Sequence, residues 1–349
     1  MTRRSPTPLA LVGSAIVLVG CGGSEAERRS ADVTTPARAV EHPEPASMEA
    51  APEHARRLSS ALGFDCAIAA SGQLWCWRMG GAPRPLVRFE HTRTLSGHAS
   101  PGCAVLEDGT LACFELVEAL GGPAVVFVDR ARFAWTDVGA VEEVASPCVI
   151  RAEAHTLECL LPEPTAPAFF VGALGLTRGD RPPARVSLDG EARELAATSR
   201  QVCVVASDGG LSCFRPGHAP RPVRGLPPLR TVSMGASCGE IVCGLSRDDE
   251  LLCFATTTTA GSVRIPEVRA VAVNGCTVCM ASLDGRVACF GSAEDQAPFV
   301  SGPHLVPGLE HVVELSLGPD HGCARLEDER VVCFDPSGAT APTTISFTE

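Results

Sequence analysis

The chain has 349 residues, is 45% hydrophobic and 20% charged, and carries a net charge of −12. That length holds one large or two medium domains, and the balance supplies enough apolar side chains to bury a core. The acidic surplus excludes a phosphate-binding surface, because nucleic-acid recognition needs clustered basic residues and the short pairs Arg28-Arg29 and Arg56-Arg57 are too small.

In chain order the first element is an export signal. Arg3 and Arg4 form a positive end, and residues 9–19 are apolar or small throughout. Such a stretch is too short for a membrane-spanning helix, which needs about 20 residues. It runs into Leu18-Val19-Gly20-Cys21, which resembles the lipobox of bacterial lipoproteins. The resemblance implies cleavage before Cys21, a diacylglycerol on its sulfur and acylation of the new amino terminus, which together make a stable anchor. Gly22, where aspartate often marks inner-membrane retention, favours the outer membrane. Residues 1–20 are thus expected to be a lipoprotein signal peptide. Residues 21–54, rich in Ala, Glu, Pro and Ser without hydrophobic periodicity, are expected to be a flexible tether. Residues 55–349 form the folded part.

One pattern then recurs seven times, first as CAIAASGQLWCW at 66–77. The cysteine pairs are Cys66 and Cys76, Cys103 and Cys113, Cys148 and Cys159, Cys203 and Cys213, Cys243 and Cys253, Cys279 and Cys289, and Cys323 and Cys333. Six of the seven are ten positions apart, and six are followed by Phe or Trp. Turn formers such as Asp108-Gly109, Asp208-Gly209 and Asp284-Gly285 sit between them, so each copy predicts a β-hairpin. In the second copy Cys103 should oppose Cys113 on one face with Val105 and Leu111, leaving Ala104, Ala112 and Phe114 on the other. Both faces are apolar, which suits a sheet stacked between two others.

Opposed residues of an antiparallel pair lie within disulfide range, and an exported chain meets oxidising conditions. Fourteen of the seventeen cysteines are therefore expected in hairpin disulfides, against the alternative of buried free thiols. Cys238 and Cys276 remain as a candidate bridge between neighbouring sheets. Cys276 and Cys279 also form a lone CxxC without thioredoxin-like surroundings. No metal-ligand spacing and no cofactor motif is found.

Short alternating runs precede several hairpins (232–235, 271–274, 313–318), and looser Pro- and Gly-containing stretches follow them. A period of 36 to 55 residues with about four strands per unit predicts an all-β, seven-bladed propeller. At Gly318-Pro-Asp-His321-Gly-Cys323-Ala-Arg-Leu-Glu-Asp328 the pattern resembles the repeat of the regulator of chromosome condensation family, over about residues 58 to 345. The resemblance implies the same propeller. The usual Trp-Gly tail of that repeat is lost, and no functional residue of the family maps onto this chain.

Among the nine histidines, His321 stands out as a candidate active-site group, beside its reading as a hydrogen-bonded blade residue. Phe133, Trp135, Phe169 and Phe170 are candidates for an exposed binding patch. The sequence therefore points to a lipid-anchored envelope module that binds a protein partner through a propeller face and has no assigned catalytic residue. The alternatives are an envelope lyase or hydrolase, an inhibitor of a secreted enzyme, or a passive structural lipoprotein.

Overall fold

Each hairpin sets its own register through its turn. In the computed structural model, which describes residues 57–347 apart from 62–63, 79, 97–101, 119–124, 130–138, 146–147, 160–183, 189, 199, 216, 236–239, 256–261 and 292–301, the second copy joins strands Gly102–Leu106 and Leu111–Glu118. The Gly109 N–H donates to Leu106 O and the Leu106 N–H to Thr110 O, both at 2.9 Å. The loop is three residues long, and its last residue, Gly109, adopts φ 81°. Leu106 and Thr110 are hydrogen-bonded partners. Counting outward, Cys103 and Cys113 fall on a non-hydrogen-bonded pair, where opposed Cα atoms come closest. Their Cα atoms are 3.9 Å apart and the disulfide forms. Six other hairpins are stapled in the same way, with separations of 3.9 to 4.1 Å. The third copy absorbs its extra residue in the loop, where Arg151 N–H donates to Thr156 O, so Cys148 still faces Cys159.

The residue in the left-handed turn position has a second task. Its carbonyl accepts a hydrogen bond from the first strand of the next unit. The pairs are Gly72 O with Thr92 N–H, Gly109 O with Val141 N–H, His155 O with Ala192 N–H, Gly209 O with Leu229 N–H, Asp249 O with Val268 N–H and Gly285 O with Val312 N–H, at 2.8 to 3.1 Å. Six of the seven turns are thereby pegged to the following unit.

The strands assemble into seven four-stranded antiparallel sheets, each built from consecutive strands. These are blades 1 to 7, spanning 58–85, 92–129, 141–186, 192–222, 229–265, 268–305 and 312–345. The all-β, seven-bladed expectation holds. First strands of successive blades stand side by side around the axis. Several fourth strands are two-residue edges, such as Arg84–Pro85 and Arg221–Pro222, both exposed. Short edges carrying proline discourage pairing with another chain. The first strands of blades 5 and 6, Leu229–Gly235 and Val268–Asn274, start three residues before the alternating runs seen in the sequence. The cause is a β-bulge at Arg230 and Arg269, which breaks the alternation. Among the described residues no helix is long and apolar enough to cross a membrane.

Both sheet faces are buried, as the alternation requires. The cysteine face of one blade packs on the aromatic that follows the second cysteine of the next blade. Cys66 and Cys76 cluster with Phe114, and Cys148 and Cys159 with Phe214. Cys243 and Cys253 cluster with Phe290, and Cys279 and Cys289 with Phe334. Cys323 and Cys333 of blade 7 cluster with Trp77 of blade 1, which closes the ring. The repeated aromatic is thus the counterpart of the neighbouring disulfide.

Candidate functional site at the channel mouth

Two polar assemblies stand out against this apolar stacking. The first is the closing seam between blades 7 and 1, which no shared strand bridges. Glu314 Oε1 accepts from the backbone N–H groups of Arg57 and Leu58 at 2.8 and 2.9 Å, while its Oε2 accepts from Arg325 at 2.9 Å. Ser60 N–H donates to Ser316 Oγ at 2.7 Å. His321 Nε2 lies 2.7 and 2.8 Å from the two oxygens of Asp65, and both residues are buried. Phe347 covers the seam, with ring centroids 5.6 and 5.9 Å from Trp75 and Trp77. His321 is therefore a structural latch, not a group presented to a substrate. The hydrogen bond to Asp65 raises its pKa above the ordinary 6.5, against the opposing effect of burial.

The second assembly is a cavity of about 360 Å³ where the first strands of blades 2 to 5 begin, on the face that carries the hairpin turns. The bulge positions each sequence at this rim. Arg93, Arg193, Arg230 and Arg269 are the bulged residues of blades 2, 4, 5 and 6, and Glu142 is that of blade 3. Several reach forward to the next blade. Arg93 donates to Val141 O at 2.8 Å, Arg230 to Arg269 O at 3.2 Å, and Arg269 to Glu327 at 2.7 Å. The first two bonds cover carbonyls of the inner strands that no fifth strand satisfies, and the third pairs Arg269 with a carboxylate on the blade 7 turn.

The residue after each bulge forms a ring of its own: Thr94, Glu143, Glu194, Thr231, Ala270 and Glu314 in blades 2 to 7. Glu314 is consumed by the seam. Glu143 and Glu194, at adjacent places in the ring, line the cavity and are buried, 9% and 4% exposed. Glu194 Oε1 accepts from Thr231 Oγ1 at 3.0 Å. Glu142 Oε2 lies 2.6 Å from His155 Nδ1. Across the cavity Arg193 pairs with Glu191 at 3.1 Å and Arg230 with Asp249 at 2.8 Å, while Arg247 donates to Ser207 O at 2.8 Å. The arrangement is a concave site with convergent charged groups, suited to holding a charged guest.

The sequence-predicted residues divide clearly. All seven hairpin pairs are bonded. Cys276 is disulfide-bonded as well, while Cys279 is bonded to Cys289, so the CxxC is not a redox pair. Cys21, Cys238, Phe133, Trp135, Phe169 and Phe170 lie outside the described residues. Asp108, Asp208 and Asp284 serve their turns, accepting from the backbone N–H two residues on. Asp65 lies near the sulfurs of Cys323 and Cys333, but those sulfurs are bonded to each other and offer no thiolate. The charged cavity was missed. Its signal is a polar pair in blades 3 to 5, at a constant distance before the first cysteine's strand partner: Glu142-Glu143, Arg193-Glu194, Arg230-Thr231.

No family model matches the chain, and no curated protein matches it in sequence. Solved structures match it in fold. The CRINKLY WD40 ectodomain of the Arabidopsis thaliana receptor kinase ACR4 aligns with a TM-score of 0.52 at 16% identity, over 83% of this chain and 98% of that one. Prp20p of Saccharomyces cerevisiae, the yeast RCC1, aligns with a TM-score of 0.42 at 12% identity, over 83% and 76%. At such identities the likeness concerns the β-propeller fold alone. The seven disulfides mark a protein of an oxidising environment.

Proposed function

We propose that this chain is an exported, lipid-anchored propeller that serves as a protein-binding module of a bacterial cell envelope. Residues 1–20 act as the signal peptide, Cys21 carries the lipid, residues 21–54 are the tether and the ring begins near residue 55. The positive end, the apolar run and Leu18-Val19-Gly20-Cys21 support the anchor, and Gly22 supports the outer membrane. The blade pattern at 318–328 supports kinship with the regulator of chromosome condensation repeats. The observation that carries the binding role is the charged cavity at the channel mouth of a ring whose blades are each stapled. A rigid ring holds that site in one geometry, so binding costs little ordering of the site itself.

The test is fractionation followed by capture. The wild-type chain is expected in the outer-membrane fraction, and Cys21→Ser in the soluble fraction. Immobilised protein should retain one saturable partner from a detergent extract of its own envelope, and Glu194→Gln should lose it. A Cys21→Ser chain that still fractionates with membranes sinks the anchor. Repeated extracts yielding no saturable partner sink the module.

A further inference from the structure

We infer that the seam between blades 7 and 1 is a gate that opens by itself while the other seams stay shut, and that the charge on His321 sets how firmly it closes. Three observations converge on it.

The first is what this seam lacks. At the other six, the chain itself crosses from a fourth strand to the next first strand, and a turn carbonyl accepts from the first N–H of that strand. The equivalent turn residue of blade 7 is Glu329, with φ 67°. Among the described residues no first-strand N–H of blade 1 donates to its carbonyl. The N–H of Leu58, which opens that strand, donates to the Glu314 carboxylate instead, at 2.9 Å. A backbone peg is thus replaced by a side chain, and no chain connection backs it up.

The second is unsatisfied polarity. Of the five buried side-chain polar atoms without a partner among the described residues, three border this seam: Ser60 Oγ, Trp75 Nε1 and His321 Nδ1. Their residues are 0%, 3% and 7% exposed. A polar atom held away from water without a hydrogen bond destabilises the closed state, and opening returns it to solvent. The polar cost of closure is concentrated at one place in the ring.

The third is the latch itself. The charged groups facing His321 are Asp65 on the second strand of blade 1, 2.7 Å away, and Asp320 in its own turn. Ser60 and Ser316 of the two first strands add no charge, and Cys323 and Cys333 are bonded to each other and do not titrate. Arg57, Glu314, Arg325 and Glu329 pair among themselves at the other end of the seam. Two residues before its first hairpin cysteine, no other blade carries an ionisable side chain. The hydrogen bond to Asp65 raises the His321 pKa in the closed seam, against burial. Opening dissolves that pair and returns the histidine toward its ordinary 6.5. Protonation therefore holds the gate shut, and the hold is lost as pH rises through the raised value. An open gate presents Leu58, Ala67 and Trp77 on one side and Val331 on the other.

The test is amide hydrogen exchange of the full chain, resolved by residue over a pH series and corrected for intrinsic exchange. The N–H groups of Leu58 and Ser60 bond across this seam, and those of Leu229 and Val268 bond across two others, so each reports its own seam. Leu58 and Ser60 should be less protected than Leu229 and Val268 at every pH. Their protection should fall as pH rises above 6.5, by about tenfold for each pH unit by which closure raises the His321 pKa. His321→Gln should abolish that dependence and leave the seam loosely closed throughout. The inference is overturned if all four amides are equally protected, since the seam then opens only with the whole ring. It is equally overturned if Leu58 and Ser60 exchange without regard to pH, as fraying of the first strand alone would give, or if their pH dependence survives in His321→Gln. Should that variant not fold, the wild-type series decides by itself.

Discussion

His321 Nε2 donates to the Asp65 carboxylate at 2.7 Å, joining the last blade to the first across 256 residues of chain. Both groups are buried, and the bond lies where no shared strand holds the ring together. The protonated imidazole is favoured by Asp65, so the folded ring keeps a proton that the unfolded chain releases near the ordinary value of 6.5. The stabilisation is complete below that value and is lost as pH rises through the raised one. The melting temperature should therefore fall as pH rises above the ordinary histidine value of 6.5, and His321→Gln should flatten that slope. His321→Ala leaves Asp65 buried without its partner and should cost about 3 kcal/mol at pH 6, measured by denaturant unfolding.

Removing one staple isolates its contribution. Replacing both Cys103 and Cys113 by alanine should lower stability by about 3 kcal/mol in the chain-entropy account of a loop this short. Peptide mapping of the non-reduced wild type should return each hairpin as a cross-linked pair. Free thiols at Cys103 and Cys113 would refute the assignment.

The turns that peg neighbouring blades should be sensitive to a single methyl group. A Cβ at Gly285, which has φ 78°, would sit 2.5 Å from His311 Cα and 2.7 Å from Val312 N. Both are backbone atoms and cannot step aside. Gly80 has a similar φ of 74° but nothing within 4 Å. Gly80→Ala should cost about 1 kcal/mol from the backbone alone, and Gly285→Ala clearly more. Equal losses in paired thermal melts would show that the peg contributes nothing.

The lid over the seam gives an optical handle. Phe347 packs on Trp75 and Trp77, both buried. Phe347→Ala should shift tryptophan emission to the red and cost about 1 to 2 kcal/mol, since the ring is only partly buried. Emission unchanged from wild type would mean that the C-terminal segment does not cover the seam.

The architecture was legible because it is written at short range. Cys103, Asp108, Gly109, Cys113 and Phe114 encode one hairpin, its staple and both of its packing faces, and the copies repeat it. The first strands were only half legible, because bulged Arg230 and Arg269 interrupt the period-two pattern. The cavity and the latch were not legible. Glu143 and Glu194 become neighbours only when blades 3 and 4 stack, and Asp65 meets His321 only when the ring closes. Apolar alternation marks a strand locally, whereas which polar side chains meet across blades is fixed only by the stacking of those blades.

Each of the seven hairpin disulfides joins cysteines 10 or 11 positions apart, and none of the seven crosses another. A chain threaded amino-terminus first into an oxidising compartment therefore meets its hairpin thiols in matched order, each finding its mate before the next pair emerges. Sequential oxidation and correct oxidation become nearly the same process, and little reshuffling of bonds is needed. The cysteine-rich repeat carries its own proofreading in the order of its letters.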